Sequence, residues 1–324
     1  MDSTYVVGID VGGQTTKLGV VDARGTVLAQ TVIRTDTYTD IAPYISELAV
    51  ALNKVIADAG VEGKVKGIGV GAPNGNYYTG TIENAVNLSW GGTQTIEFSK
   101  LLSEAMNGLP VALTNDANAA AVGEMTYGAA RGMKNFIMKN FIMITLGTGV
   151  GSGIVINGDV VYGHDGFAGE LGHVAAVRNN GRTCNCGKTG CLETYASATG
   201  VARTAREWLE LSNEPSVLRN LDNISSKDVY EAAQEGDALA LKIFEFTGKI
   251  LGRSFADFIA FSAPEAIVLF GGLARAKEFL LKPIEDAMNA NVLPLWKGKV
   301  KIVFSQLKES DAAILGASAL AWEL

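Results

Sequence analysis

One imidazole and three thiols in a single region have the chemistry of metal ligands. His173 precedes Cys184, Cys186 and Cys191, and these 3 cysteines are all that the 324 residues contain. Together the four side chains complete the tetrahedral ligand set of a zinc site. Because four protein ligands leave no coordination position open, the pattern predicts a structural rather than a catalytic Zn²⁺ ion. A disulfide is the competing interpretation, which the odd number of cysteines disfavours.

Three glycine-rich turns have the chemistry of phosphate-binding loops. Each follows an apolar run: DVGGQTTK at 10–17, LGTGVGSG at 146–153 and FGGLA at 270–274. Glycine has no Cβ, so backbone N–H groups can approach phosphate oxygens. Three such turns predict a nucleotide site, although a plain hairpin would explain any one of them. The candidate residues in and beside these turns are Asp10, Gly12, Gly13, Gln14, Thr15, Lys17, Gly147, Thr148, Gly149, Gly271 and Gly272.

Two aspartates stand where apolar runs end. Asp10 closes the first run, where a carboxylate can reach a phosphate-bound Mg²⁺ ion; a turn-forming role is the alternative. Asp116 stands between a predicted strand and a predicted helix, where it can accept the proton of an alcohol during phosphoryl transfer. A helix N-cap is the alternative for Asp116. The amide of Asn115 beside it suits a polyhydroxyl ligand.

Composition restricts the class of protein. The chain is 48% hydrophobic and 19% charged with a formal net charge of -7, which is typical of a globular enzyme. No cluster of Lys and Arg predicts a nucleic-acid partner. The first residues, MDSTYVVGID, do not resemble a signal peptide, and apolar runs such as FIMITL are too short to span a membrane. We therefore expect a cytoplasmic protein without a membrane partner.

The elements that must position these residues recur along the chain. Residues 5–33 predict three antiparallel strands, and the segment after Thr39 and Asp40 predicts a helix that stops at Gly60. The pattern of strand, glycine turn and two further strands returns at 141–163. This duplication predicts two similar lobes facing a cleft. We expect a small lobe at 1–118 plus 311–324 and a large lobe, with the zinc loop, at 119–310.

The remaining patterns predict mainly helices. Apolar periodicity predicts helical structure at 197–211, 228–263, 273–292 and 311–324, and strands at 265–272 and 299–305. The segment MKNFI occurs twice in succession, at 133–137 and 138–142. Because strand side chains alternate between faces, a five-residue insertion inverts the upstream copy, so only the second copy is expected in the sheet.

Four motifs together resemble one family. DVGGQTTK, NDANAAA, GELGH and CNCGKTGCLE, in this order, resemble the ROK family of bacterial sugar kinases and sugar-responsive repressors over nearly the whole chain. The resemblance implies an α/β, two-lobed actin-like and hexokinase-like (duplicated ribonuclease H-like) fold with ATP and Mg²⁺ in a central cleft and a structural Zn²⁺ ion. It implies that Asp116 is the catalytic base. The implied sugar contacts are Gly71, Asn115, Asp116, Glu170, His173 and Glu193.

Among the functions of this family, the resemblance favours a kinase that phosphorylates glucose to glucose 6-phosphate. Fructose, mannose, N-acetylmannosamine and N-acetylglucosamine are the alternative substrates, and a sugar sensor without catalysis is the alternative function. Family repressors carry a helix-turn-helix domain ahead of the first glycine turn, for which the position of Asp10 leaves no room. The resemblance also implies a homodimer or homotetramer.

Overall fold

The fold is described by a computed structural model over residues 4–129, 138–308 and 310–324. The described residues divide into two units. Among the described residues, the first unit comprises 4–129, 138, 153–169, 306–308 and 310–324, and the second comprises 139–152 and 170–305. This division differs from the expected lobes, because the described residues of 119–138, 153–169 and 306–310 are grouped with the first unit.

The strands and helices of the described residues follow the predicted patterns closely. The strands are β1 (Tyr5–Val11), β2 (Thr15–Val21), β3 (Val27–Arg34), β4 (Val65–Gly71), β5 (Gly75–Asn76), β6 (Thr81–Glu83), β7 (Thr95–Ile96), β8 (Val111–Thr114), β9 (Phe141–Leu146), β10 (Val150–Ile156), β11 (Asp159–Val160), β12 (Ala266–Phe270) and β13 (Lys301–Phe304). The helices are α1 (Ile41–Asp58), α2 (Phe98–Ala105), α3 (Asp116–Thr126), α4 (Glu193–Ala196), α5 (Ala198–Leu211), α6 (Ser226–Gln234), α7 (Ala238–Ser262), α8 (Lys277–Asn291) and α9 (Ala312–Leu320).

Two five-stranded sheets share one strand order, which confirms the predicted duplication. The first sheet has the order β3-β2-β1-β4-β8 and the second has the order β11-β10-β9-β12-β13. In the first sheet, β1, β2 and β3 pair antiparallel, as predicted, whereas β4 and β8 run parallel to β1. In the second sheet, β9, β12 and β13 are parallel. A small third sheet has the order β5-β6-β7.

Helix α1 forms where its apolar periodicity predicts. Its buried face includes Tyr44, Leu48 and Leu52, which recur at the helical spacing and pack on the first sheet. Asp40 occupies the N-cap position without a side-chain hydrogen bond, and Gly60 follows the helix in a left-handed conformation with φ +66°. Within residues 4–129, 138–308 and 310–324, every helix is too short or too polar to cross a membrane.

The helical pattern at 228–263 is two helices rather than one. The first, α6, begins with a capping box in which Ser225 and Asp228 each bond the other's backbone N–H. It ends before Gly236, whose φ of +84° is incompatible with a continuing helix. Asp237 then caps α7 by accepting a hydrogen bond from Ala240 N at 3.0 Å. Local capping chemistry therefore interrupts a continuous apolar pattern.

The tandem repeat enters the second sheet with its second copy, as predicted. Phe141 and Ile142 begin β9 and are buried. They pair with Ala266 and Ile267 of β12. The first copy, at 133–137, lies outside the described residues.

Helix α9 approaches the first sheet through two glycines. A Cβ atom at Gly8 of β1 would lie 2.0 Å from the Ile314 carbonyl oxygen, and one at Gly69 of β4 would lie 1.9 Å from that of Ala317. Helix α3 packs against the same helix, because a Cβ atom at Gly123 would lie 2.7 Å from Gly316 Cα. The glycines thus let α9 contact both the sheet and α3, which explains why α3 belongs to the first unit.

This close approach predicts the effect of adding one methyl group. The substitution Gly69→Ala should lower the free energy of unfolding by about 3 kcal/mol, because the new methyl group forces the α9 backbone to move. Chemical denaturation measures this effect. As a control, Val32→Ala at a side chain 56% exposed on β3 should cost less than about 1 kcal/mol. Equal stability of the two variants would contradict the packing described.

Candidate functional site

In the first unit, candidate residues meet at the carboxyl ends of parallel strands. Asp10 of β1 pairs with Gly71 of β4, and Gly71 pairs with Thr114 of β8. The chain continues from Thr114 into Asn115 and Asp116, and a Cβ atom at Gly71 would lie 3.5 Å from Asp116 Cα. The carboxyl ends of parallel strands are where open α/β sheets bind ligands. The fold therefore brings Asp10, Gly71 and Asp116 to one edge of the first sheet.

Asn115, and not Asp116, is the N-cap of α3. The Asn115 side-chain oxygen accepts a hydrogen bond from Asn118 N at 3.0 Å. Asp116 is the first residue of the helix, and its Oδ1 accepts a hydrogen bond from Ala117 N at 2.8 Å. Asp116 is nevertheless exposed. The interpretation of Asp116 as the cap is therefore wrong, and its carboxylate is accessible for chemistry.

The two aspartates interact electrostatically. Burial is the main cause that raises the pKa of Asp10 to about 6; the charge of Asp116 also raises it, and Lys17 opposes the rise. Partial loss of hydration likewise raises the pKa of Asp116. Asp10 lies within β1 and is paired with Lys17 of β2, so the turn-forming interpretation of Asp10 is wrong. Two neighbouring carboxylates with raised pKa values favour a bound cation, which would stabilise their charged forms.

The first glycine turn is closed by its own backbone. Gly12 N donates to the Thr15 carbonyl oxygen at 3.0 Å, and the Gln14 carbonyl oxygen accepts from Thr35 N at 2.9 Å. Lys17 is exposed on β2. The candidate residues of this turn extend from the end of β1 into the start of β2: Asp10, Gly12, Gly13, Gln14, Thr15 and Lys17.

In the second unit, the two remaining glycine turns adjoin each other. Residues 147–149 connect β9 to β10, and Gly147 N donates to the Gly149 carbonyl oxygen at 3.0 Å. Gly271 follows β12 with φ +103°, and a Cβ atom there would lie 2.6 Å from the Leu146 carbonyl oxygen. Gly272 has open space around its Cα. The turns after two neighbouring parallel strands therefore meet, as expected for a shared ligand.

Glu193 connects the turn at 147–149 to the cysteine-rich loop. Its Oε2 accepts a hydrogen bond from Val150 N at 2.9 Å, and its Oε1 lies 3.9 Å from Cys184 Sγ. A Cβ atom at Gly149 would lie 2.2 Å from the same Oε2. A side chain at position 149 would therefore displace the Glu193 carboxylate from its present position. Sequence patterns do not indicate this role of Glu193, because its partner is a backbone group 43 residues away.

The four predicted metal ligands converge in the second unit. The ligand atoms of His173, Cys184, Cys186 and Cys191 all lie within 4.8 Å of one another. Cys186 Sγ lies 3.7 Å from Cys191 Sγ, and Cys184 Sγ lies 3.8 Å from His173 Nδ1. All three cysteines are free, so no disulfide forms. Tetrahedral coordination with bonds of about 2.0–2.3 Å requires ligand separations of about 3.5–3.8 Å, which these distances approach.

The thiols themselves favour a cation. Burial first, and then the adjacent sulfurs of Cys186 and Cys184, together raise the pKa of the Cys191 thiol to about 12. The pKa of the Cys184 thiol is also raised, mainly by burial, whereas hydrogen bonds from the Lys188 backbone and the neighbouring sulfurs lower that of the more exposed Cys186. A coordinated cation deprotonates such thiols. The donor set and its spacing therefore fit a divalent metal ion that prefers sulfur and nitrogen.

His173 faces the metal cluster and Glu170 with different ring nitrogens. Nδ1 lies beside Cys184 Sγ, whereas Nε2 lies 3.9 Å from a Glu170 carboxylate oxygen. Lys188 Nζ donates to the His173 carbonyl oxygen at 2.7 Å and ties the histidine to the cysteine-rich loop. Glu170 is exposed. The arrangement leaves Nε2 and Glu170 on the side away from the sulfurs.

Arg182 anchors the cysteine-rich loop, although no sequence motif singles it out. Its guanidinium donates to Glu207 Oε2 at 3.0 Å, to the Thr194 carbonyl oxygen at 2.8 Å and to Thr204 Oγ1 at 3.0 Å. It also lies 4.5 Å from the centre of the Tyr195 ring. Arg182 stands two residues before the first cysteine, and Thr194 adjoins Glu193. Arg182 therefore fixes both ends of the loop to α5.

Comparison with known proteins identifies similar sequences over the full length. The sequence profile of the ROK family matches residues 6–323. A glucokinase of Halalkalibacterium halodurans is 38% identical over 321 residues, which cover 98% of this chain and 94% of that protein.

Solved structures are similar over the full length as well. A ROK family glucokinase from Streptomyces griseus, in complex with glucose and AMPPNP, has a TM-score of 0.79 at 30% identity over 99% of this chain and 100% of its own. A ROK family transcriptional regulator, a homologue of the Escherichia coli MLC protein, has a TM-score of 0.86 at 26% identity over 99% of this chain and 78% of its own. These similarities confirm the expected α/β, duplicated actin-like fold.

The anchor at Arg182 leads to a stability prediction. Arg182→Gln should lower the free energy of unfolding by about 3 kcal/mol, because the change removes a guanidinium that is only 8% exposed and leaves Glu207 and the Thr194 carbonyl oxygen without their donor. Arg203→Gln is the matched control, since Arg203 contacts the same Glu207 but is 39% exposed, and it should cost less than about 1 kcal/mol. Chemical denaturation distinguishes the two. An Arg203 variant that is as unstable as the Arg182 variant would contradict the anchoring role.

Proposed function

Because the chain belongs to the ROK family, we propose that it is an ATP-dependent glucokinase that forms glucose 6-phosphate. Its similarity to the glucokinase of Halalkalibacterium halodurans over nearly the full length of both proteins supports the activity, and the glucose and AMPPNP complex of the Streptomyces griseus glucokinase supports both substrates. The observation in this chain that carries the proposal is the position of Asp116, an accessible carboxylate with a raised pKa beside Asp10 and Gly71.

Asp116 is the proposed base of the reaction. Its carboxylate takes the proton of the glucose 6-hydroxyl while the hydroxyl oxygen bonds to the γ-phosphorus of ATP. The bond between that phosphorus and the β–γ bridging oxygen breaks, and ADP leaves with the bonding electrons. Since Asp116 Oδ1 is held by Ala117 N, the carboxylate has a fixed orientation for this transfer.

Most of the proposed sugar contacts are carboxylate, amide and imidazole groups, which between them can accept hydrogen bonds from sugar hydroxyls and donate hydrogen bonds to them. Glu170 and His173 Nε2 lie near each other in the second unit, and Asn115 adjoins Asp116 in the first. Glu193 Oε2 is bound to Val150 N–H, and we assign Oε1, which lies 3.9 Å from Cys184 Sγ, to the sugar. The complete proposed set is Gly71, Asn115, Asp116, Glu170, His173 and Glu193.

The proposed nucleotide contacts are the glycine turns with the charged side chains beside them. In the second unit these are residues 147–149 together with Gly271 and Gly272, which adjoin through Leu146. In the first unit, the proposed contact of Mg²⁺ is Asp10, a buried carboxylate beside Asp116 at the edge of the sheet. Mg²⁺, when bound, neutralises charge on phosphate oxygens.

We further propose that His173, Cys184, Cys186 and Cys191 hold a structural Zn²⁺ ion. The separation of their ligand atoms and the combination of thiols with an imidazole support the assignment. Bound zinc would supply a rigid cross-link within the loop. With Nδ1 on the metal side, His173 would present Nε2–H as a hydrogen-bond donor to the sugar. The homodimer or homotetramer expected from the resemblance stays a prediction.

A sugar sensor without catalysis is the second candidate function. The observation that favours it is the TM-score of 0.86 with a transcriptional regulator of the same family. The presence of Asp10 and Asp116 at one sheet edge favours the enzyme, because sugar binding alone does not require two neighbouring carboxylates. Turnover separates the two functions.

The base assignment predicts a large and specific kinetic defect. Asp116→Asn should reduce kcat for glucose by about 10²–10⁴-fold, because the amide cannot accept the hydroxyl proton. Release of ADP should be measured with Mg²⁺, ATP and a panel of glucose, fructose, mannose, N-acetylmannosamine and N-acetylglucosamine. Asp58→Asn, at an exposed aspartate that ends α1, is the control and should retain full turnover. Near-normal kcat in the Asp116 variant would disprove the assignment.

The panel also tests the substrate. Glucose should give the highest kcat/KM, whereas a preference for another sugar would preserve the mechanism and change the substrate. Sugar binding without release of ADP from any member of the panel would support the sensor and refute the kinase.

The metal assignment predicts a stoichiometry. The purified protein should contain one Zn²⁺ ion per chain by elemental analysis, and Cys186→Ser should reduce this content substantially because one of four ligands is lost. Asn185→Ala, at an exposed neighbour within the same loop, is the control and should retain the metal. Undiminished zinc in the Cys186 variant would contradict the ligand set.

A further inference from the structure

The turn at 147–149 has two backbone donors that the protein does not use. Gly147 N donates to the Gly149 carbonyl oxygen, and Val150 N donates to Glu193. Within the described part of the chain, the N–H groups of Thr148 and Gly149 donate to no acceptor. Two adjacent donors on a glycine turn suit the oxygens of a phosphate group.

The carbonyl groups of the same turn are both held by the start of α5. The Gly147 carbonyl oxygen accepts from Ala198 N at 2.8 Å, and the Thr148 carbonyl oxygen accepts from Thr199 Oγ1 at 2.8 Å. Ser197 caps this helix through Gly200 N at 2.9 Å. Ala198 N is the first amide of α5 and has no acceptor within the helix, so it is available to bond the Gly147 carbonyl oxygen.

Peptide geometry converts these carbonyl bonds into an orientation of the N–H groups. The carbonyl of one residue and the N–H of the next belong to one planar unit and point in opposite directions when the bond is trans. All peptide bonds in the described residues are trans. Holding the Gly147 carbonyl group therefore turns Thr148 N–H away from α5, and holding the Thr148 carbonyl group turns Gly149 N–H the same way.

We propose that Thr199 is a positioning residue that orients Gly149 N–H toward a nucleotide phosphate by holding the Thr148 carbonyl group. The assignment rests on the proposed function only in that a nucleotide occupies this turn. Thr199 does not contact the nucleotide itself. Its hydroxyl is the only side-chain group among the described residues that donates to the carbonyl groups of Gly147 or Thr148.

One short segment, residues 191–199, joins the turn at 147–149 to the cysteine-rich loop. Glu193, Ala198 and Thr199 bond to the turn, and Cys191 precedes Glu193 by only two residues. The Thr199 hydroxyl at the start of α5 therefore acts on the turn through a direct hydrogen bond. If Thr199 only stabilised α5, its loss would weaken the binding of every ligand by the same factor.

The experiment compares Thr199→Val with Thr199→Ser. Valine keeps the shape of the side chain but has no hydroxyl, whereas serine keeps the hydroxyl. Calorimetry of the Mg²⁺ complex of AMPPNP should show about five-fold weaker binding to the valine variant, the effect of losing about one hydrogen bond. The serine variant should bind within about two-fold of the wild type. Adenosine, which has no phosphate, should bind all three proteins equally.

Two results would overturn the proposal: a valine variant that binds AMPPNP as tightly as the wild type, or one that loses affinity for adenosine by the same factor. In turnover, the valine variant should have a raised KM for ATP with an unchanged KM for glucose. Failure of the proposed function is separately visible, because a wild type that binds AMPPNP without phosphorylating any sugar would refute the kinase while the binding comparison still tests Thr199.

Discussion

The hydrogen bond from Val150 N to the Glu193 carboxylate is the interaction on which the candidate site of the second unit depends. It joins a turn between two strands to a residue that directly follows the cysteine-rich loop. A Cβ atom at position 149 would displace this carboxylate, because the carboxylate fills the space that such an atom would occupy. The Glu193 side chain thus contacts both the end of the turn at 147–149 and Cys184 of the proposed metal site.

In the first unit, glycines rather than a side-chain hydrogen bond allow the elements around the candidate site to pack together. Parallel strands β1, β4 and β8 deliver Asp10, Gly71 and Asp116 to one edge, and α9 can reach this sheet only because Gly8 and Gly69 have no side chains. Two nearby carboxylates with raised pKa values are an unfavourable arrangement for stability. Proteins retain such arrangements at functional sites, where ligand charge compensates for the cost.

The sequence predicts the parts of the site that depend on residue type and on short spacing. The similarity of the two sheets follows from a recurring pattern, and the convergence of His173 with three cysteines follows from their chemistry. By contrast, sequence patterns do not indicate Arg182 or Thr199, because each acts on backbone groups of residues distant in the chain.

Local chemistry accounts for the other differences between sequence and structure. The alternative of Asp116 as a helix cap is wrong because the neighbouring Asn115 presents its own oxygen to Asn118 N. A periodic apolar pattern cannot show the break at Gly236, since the apolar residues on both sides share one core. The choice of helix cap and the position of a helix break depend on backbone conformation and on contacts that exist only in the folded chain.

The central claim is that this chain transfers the γ-phosphoryl group of ATP to the 6-hydroxyl of glucose. The most direct measurement is ³¹P nuclear magnetic resonance of the products formed from ATP, Mg²⁺ and glucose by the purified protein. The account predicts equal amounts of ADP and glucose 6-phosphate. Formation of ADP with inorganic phosphate alone, or of a sugar phosphorylated at another hydroxyl, would contradict it.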